Sequence, residues 1–155
     1  MTGLIKVKLE KATRVDAGQL TELTLRSKAY WGYSAEQIKV WEPELTITED
    51  YISSNHVFKL TEQRQLIGYY SFFAMGDSVV KLDNLFVEAV LIGKGYGKAL
   101  LTDFVRRVKG AGIEKVLLEA DPQAAGFYRK HGFIVVGELE STVQDRYLPV
   151  MELKL

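Results

Sequence analysis

Residues 87–107 read VEAVLIGKGYGKALLTDFVRR, with IGKGYGKAL at 92–100. Gly93, Gly95 and Gly97 alternate with Lys94 and Tyr96, and an amphipathic run begins directly after them. A helix start presents unpaired N–H groups and a partial positive charge. Glycines let an anion approach those groups closely. Lys94 and Lys98 add charge beside them. The pattern reads as an anion cradle opening a helix. A glycine-rich turn without a ligand is the competing reading, and it leaves three alternating glycines without a reason. Among phosphate compounds, a P-loop requires G-x-x-x-x-G-K followed by Ser or Thr. Here Gly93 to Lys98 is one residue short and Ala99 follows the lysine. A dinucleotide fingerprint requires G-x-G-x-x-G, and Lys98 stands where the third glycine belongs. Glu119, at the end of the next strand, sits where a ribose-binding acid could be. The dinucleotide fold begins with such a unit, however, and this one follows an antiparallel meander. Coenzyme A is the remaining class.

Outward from the loop, HVFKLT, LIGYYSFFA and VVKLDNLFV are strand-like runs split by the turn-like EQRQ and MGDS. Short connections predict antiparallel neighbours. On the other side, a helix runs from about Gly95 to Lys109 and is stopped by Gly110 and Gly112. KVLLEA reads as a buried strand. PQAAGFYRKH reads as a helix with Pro122 in its first turn and Gly132 past its end. FIVVGELE and RYLPVMELKL close the chain as strands, and Pro149 places the last one at an edge or beside a bulge. At the start, LIKVKLEKA alternates as a strand. DAGQLTELTLRSKAY reads as a helix with Asp16 as N-cap and Leu20, Leu23 and Leu25 near one face. SAEQ at Ser34 fits a capping box for a second helix, ended by Pro43. Thr48 caps one more turn. The expectation is α/β (α+β): a mixed, mostly antiparallel central sheet of six to seven strands flanked by about four helices, in a single domain over 1–155.

The chain has 155 residues, with 20 basic and 20 acidic side chains. Zero formal charge argues against a nucleic-acid partner. The absence of cysteine excludes disulfides, thiolate metal sites and a cysteine nucleophile. His56 and His131 lie far apart, and no metal-ligand spacing is visible. No long apolar run marks a signal peptide or membrane span, so the expected setting is the cytoplasm.

LFVEAVLIGKGYGKALL (85–101) is similar to the acetyl-CoA motif of the GNAT superfamily, the Gcn5-related N-acetyltransferases. DPQAAGFYRKHGF (121–133) is similar to that family's following motif. SKAYWGYS and RYLPVM resemble a group of small bacterial members. The family's usual Arg or Gln before the loop is Ile92 here, and its frequent Asn is Asp121. The resemblance implies a GNAT-like sheet and acetyl-CoA as co-substrate, with no metal. It implies that Gly93, Lys94, Gly95, Tyr96, Gly97 and Lys98 wrap the pyrophosphate, mainly through main-chain amides, with Asp121 nearby as a turn or cap. It implies that Leu85, Phe86 and Val87 run beside the pantetheine arm like an added strand. One of their N–H groups would polarise the thioester carbonyl. Tyr128 falls where the family places its general acid; its alternative role is a core aromatic.

The implied reaction moves acetyl to a primary amine of a small molecule or peptide, by direct attack in a ternary complex. The alternative is a non-catalytic coenzyme A-binding module of the same fold. For the base, Asp83 precedes the triplet; Glu119, Glu42 and a water relay are the other candidates. AYWGYSAEQIKVWEPELTITED (29–50) holds Tyr30, Trp31, Tyr33 and Trp41 followed by Glu42, Glu44, Glu49 and Asp50. Aromatic faces beside acids suit a cationic amine, which makes Tyr30, Trp31 and Tyr33 candidate acceptor contacts. The same residues also read as core aromatics and a solvated acidic face. Arg146 could greet a carboxylate on the acceptor. The C-terminal edge strand offers a surface for a homodimer.

Overall fold

The structure is a computed structural model and describes residues 7–141 and 146–155. Its elements, in order, are β1 (Val7–Lys11), α1 (Ala17–Tyr30), α2 (Ala35–Leu45), α3 (Glu49–Ser54), β2 (His56–Glu62), β3 (Gln65–Ala74), β4 (Val79–Val87), α4 (Tyr96–Gly110), β5 (Lys115–Glu119), α5 (Ala125–Lys130), β6 (Ile134–Glu140) and β7 (Tyr147–Lys154). Seven strands form one sheet in the order β1-β2-β3-β4-β5-β7-β6. β1 pairs with β2, β2 with β3, β5 with β7 and β6 with β7, all antiparallel. β4 and β5 are parallel. The expected mixed, mostly antiparallel sheet is the observed one, with seven strands and five α-helices. Residues 4–6 of the predicted first strand lie outside the described residues. No helix among the described residues is long and apolar enough to cross a membrane.

The chain divides into two compact units, residues 1–72 with 84–104, and residues 73–83 with 105–155. In the first, Leu20, Leu23, Ile47, Ile52, Val57 and Tyr69 form a closed apolar cluster, with Tyr51 and Phe86 packed against it. Strand alternation sends Tyr70 to the opposite face. There its ring meets Phe104 of α4 edge-on at 5.4 Å. In the second, Val116, Leu118, Ala125, Phe133 and Met151 are buried.

Several local expectations change. Asp16 stands at the N-cap position of α1, as expected, but its side chain does not cap that helix. It accepts the Thr13 N–H at 2.8 Å and pairs with Lys59 at 2.9 Å, so it closes a short 3-10 turn that precedes α1. Pro43 does not end α2, which continues to Leu45. Proline breaks a helix interior by losing one N–H and crowding the carbonyl four residues back; in the last turn little helix remains to be disrupted. α5 starts at Ala125 rather than at Pro122. Asp121 accepts the Gln123 N–H at 2.9 Å through its side chain and the Ala124 N–H at 2.8 Å through its carbonyl. That turn consumes residues 122–124 before the helix can begin. β7 is not an edge strand, since β5 and β6 flank it. The Pro149 carbonyl accepts the Ala120 N–H at 2.8 Å, and the irregularity lies in β6, between Val135 and Gly137. β6 and β1 are the edges of the sheet, and β6 is exposed along its whole length, so the edge expected of the last strand falls to β6 instead.

Candidate active site

The glycine loop and the triplet lie in the first unit. Glu88 caps a single 3-10 turn (Ala89–Leu91) and grips Arg26 through a two-pronged ion pair, the closest contact being 2.7 Å. This hydrogen-bonded guanidinium holds the Glu88 carboxyl below its ordinary value. The chain then reaches Gly93 at φ +87° and Gly95 at φ +90°, conformations that side chains with a Cβ rarely adopt. α4 starts at Tyr96, and Ala99 donates the first helical bond to the Gly95 carbonyl at 3.2 Å. The N–H groups of Tyr96, Gly97 and Lys98 are therefore without partners inside the helix. Lys94 and Lys98 are exposed beside them. Tyr96 donates from its hydroxyl to Glu62 at 2.8 Å, which ties the loop to the end of β2 and raises the phenol above its usual range. Ile92 closes the 3-10 turn and supplies no polar contact.

Leu85, Phe86 and Val87 end β4. Gly68 of β3 fixes their place: a Cβ on Gly68 would lie 2.6 Å from the Phe86 carbonyl oxygen and 3.0 Å from a Leu100 methyl. The sequence contained this signal, because a lone glycine inside the strand LIGYYSFFA marks a close backbone approach. The parallel ladder pairs Val79, Val80 and Lys81 with Lys115, Val116 and Leu117, and does not extend to the triplet. Immediately before the triplet, Asn84 donates to Ser71 Oγ at 2.9 Å and to the Tyr51 hydroxyl at 3.3 Å, and those two oxygens are 2.8 Å apart. Sequence reading did not find this trio, whose members come from β4, β3 and α3.

The aromatic stretch is also in the first unit. Tyr30 and Trp31 are exposed and meet edge-on at 5.0 Å. Tyr33 and Trp41 pack edge-on at 4.8 Å. The ammonium of Lys28 stands over both rings, 5.4 Å from Tyr33 and 5.1 Å from Trp41. The protein's own lysine thus occupies the cation position expected of an acceptor amine. Glu49 and Asp50 both pair with Arg14, at 3.5 and 3.2 Å. Glu42 is exposed on α2.

The second unit holds Tyr128, Asp83, Glu119, Asp121 and Arg146. Tyr128 is 8% exposed, with its ring edge-on to Phe133 at 5.4 Å. Its hydroxyl makes no hydrogen bond among the described residues, and burial pushes its pKa up. The phenol therefore keeps its proton through neutral and mildly alkaline pH. Asp83 is exposed on β4. Glu119 is tied to Lys81 at 3.0 Å. Arg146 pairs with Asp121 at 3.1 Å and donates to Ser141 at 2.8 Å, so its charge is already answered within the fold. Asp121 is a turn former with a guanidinium partner.

Known proteins share this chain's family and fold. The acetyltransferase (GNAT) domain family matches residues 32–155. Glucosamine 6-phosphate N-acetyltransferase 1 of Oryza sativa subsp. japonica is 32% identical over 53 residues, which is 34% of this chain and 32% of that protein. An uncharacterized ycf52-like N-acetyltransferase of Prochlorococcus marinus is 35% identical over 71 residues, 44% of this chain and 38% of that one. The chain thus spans about a third of the length of these two relatives. Among solved structures, the PaiA N-acetyltransferase of Thermoplasma acidophilum, in complex with coenzyme A, superposes with a TM-score of 0.81 at 23% identity, over 97% of this chain and 100% of that one. The ribosomal-protein-S18-alanine N-acetyltransferase of Escherichia coli gives 0.75 at 16% identity, over 96% and 94%. With the glycine loop, the triplet and the mixed sheet as described, and with the family matched from residue 32 to the C-terminus, the chain belongs to the GNAT acetyltransferase family.

Proposed function

We propose that the chain is an acetyl-CoA-dependent N-acetyltransferase, a single catalytic domain that moves acetyl to a primary amine of a small molecule or peptide by direct attack. The observation that carries the catalytic reading, over that of a non-catalytic coenzyme A-binding module, is Tyr128. Its ring is buried, yet its hydroxyl makes no hydrogen bond among the described residues. No sealed polar side-chain atom among them lacks a partner, so this hydroxyl is not closed off and is open to a ligand.

The amides of Gly93 through Lys98 take the pyrophosphate, with Lys94 and Lys98 adding charge. Leu85, Phe86 and Val87 receive the pantetheine arm as an added strand, and one of their N–H groups polarises the thioester carbonyl. A lysine-like acceptor amine, of pKa about 10, arrives mostly protonated and must first lose a proton. Its lone pair then attacks the thioester carbon, the C–N bond forms and the C–S bond breaks. Tyr128 protonates the departing thiolate, help typically worth roughly 10²- to 10⁴-fold. Glu119 is committed to Lys81, while Glu42 and Asp83 are both exposed; Asp83, which precedes the triplet on β4, or a water relay removes the amine proton. Tyr30 and Trp31 border the acceptor, while Tyr33 serves Lys28.

The test is calorimetric titration with acetyl-CoA, followed by thiol release over a panel holding a polyamine, an amino-sugar phosphate, amino acids and a peptide with a free N-terminus. The amino-sugar phosphate joins the panel because of the rice relative's name. Binding with release for one class establishes transfer and its acceptor. Binding with no release favours the coenzyme A-binding module, and no binding refutes the phosphate assignment.

A further inference from the structure

We infer that the Asn84 side-chain oxygen is the anchor for the attacking amine, an assignment that rests on acetyl transfer being the reaction. Asn84 turns its amide nitrogen toward both Ser71 Oγ and the Tyr51 hydroxyl, at 2.9 and 3.3 Å. Ser71 is fully buried, and its oxygen lies 2.8 Å from that of Tyr51. With its nitrogen held by these two hydroxyl oxygens, the carboxamide turns its oxygen away from them. That oxygen accepts no hydrogen bond among the described residues. It is not sealed in the core, since no fully buried polar side-chain atom is left unpaired. Asn84 is half-buried. A carboxamide oriented on one side and unanswered on the other is an acceptor presented to a ligand.

Its place says which ligand. Asn84 directly precedes Leu85, so its oxygen is carried by the strand that receives the thioester. Strand alternation sets Asn84 on the face of Phe86 and sends Asp83 to the other. Phe86 packs against the cluster beneath α1 and α3, the helices from which Tyr51 and the α1–α2 aromatics come. A carboxamide oxygen accepts an N–H but takes no proton. It can therefore orient either the ammonium or the neutral amine, and the proton lost before attack passes to water. Tyr51 and Ser71 act through Asn84 as positioning residues.

The experiment measures amine KM, turnover and acetyl-CoA affinity for Asn84→Ala, Asn84→Asp and Tyr51→Phe, with the best amine of the thiol-release panel. Asn84→Ala should raise amine KM roughly tenfold, the weight of one lost hydrogen bond, and leave acetyl-CoA affinity within twofold. Tyr51→Phe should raise it about threefold. Asn84→Asp keeps an oxygen in place but adds charge, which favours the ammonium form. Its amine KM should stay near the wild-type value while turnover at pH 7 falls and recovers as pH rises. A merely structural asparagine would not give that split. An unchanged amine KM in both Asn84→Ala and Tyr51→Phe, with thiol release intact, overturns the Asn84 assignment alone. If Asn84→Ala fails to fold, Asn84→Asp decides: a raised amine KM without pH recovery overturns it. Absence of thiol release from the wild-type chain with every amine overturns acetyl transfer, and the anchor with it.

Discussion

Tyr128 concentrates the relation between stability and chemistry in one side chain. The Tyr128 ring is buried and its hydroxyl makes no hydrogen bond among the described residues, so Tyr128→Phe removes no internal partner and should fold about as stably as the wild type. Acetyl-CoA affinity should be nearly intact, and turnover should drop at least tenfold. A thermal melt beside steady-state kinetics checks both halves, and unchanged turnover removes Tyr128 from the mechanism. Gly95 makes the opposite case. At φ +90° any side chain is strained even though the space around it is open. Gly95→Val should weaken acetyl-CoA binding by roughly tenfold or more, through backbone displacement and a branched side chain in front of the amides. Calorimetry on the folded variant measures it. Gly95 and Tyr128 were both legible in the sequence, because motif spacing marks them. Asn84 was not, because its meaning comes from Ser71 and Tyr51, which are 13 and 33 positions away in the chain.

Among the elements, β3 controls the triplet through Gly68. A methyl there meets the Phe86 carbonyl, which cannot rotate away, so β4 must shift. Gly68→Ala should destabilise the fold by roughly 1–3 kcal/mol and raise the acetyl-CoA Kd, since Phe86 lies in the triplet proposed to receive the pantetheine arm. Urea unfolding and calorimetry test the two effects separately, and a variant as stable as wild type contradicts the close approach. Element identity was readable along nearly the whole chain because the periodicities are clean. The α1 boundary held, with Asp16 at its N-cap position, although the Asp16 side chain turned back to Thr13; the start of α5 failed because Asp121 built its own turn before it. The position of β7 failed for a topological reason. Pro149 argues only that one N–H is missing; its carbonyl still pairs, so an inner strand accommodates it.

For the whole molecule, the raised pKa of Tyr128 makes a stability prediction with a definite sign. Its folded value lies above the unfolded value of 10. The contribution is complete below pH 10 and is lost as pH rises through the folded value. Above pH 10 the unfolded chain releases this proton while the native chain keeps it, so stability falls by about 1.4 kcal/mol per pH unit from this group. Tyr128→Phe should lose stability more slowly than wild type by that slope between pH 10 and 12, as read by urea midpoints. Parallel slopes would mean that the phenol is not held in its neutral form.

The lysine above the α1–α2 aromatics has a consequence for selectivity. Lys28 is tethered, so its ammonium competes for Tyr33 and Trp41 at an effective concentration of the order of millimolar. A free amine that meets only the rings gains roughly 0.5–1 kcal/mol from them, too little to hold it there at micromolar levels. An acceptor that used Tyr33 and Trp41 would first have to displace this ammonium, so the two rings would favour an amine held by further contacts elsewhere over one held by the rings alone.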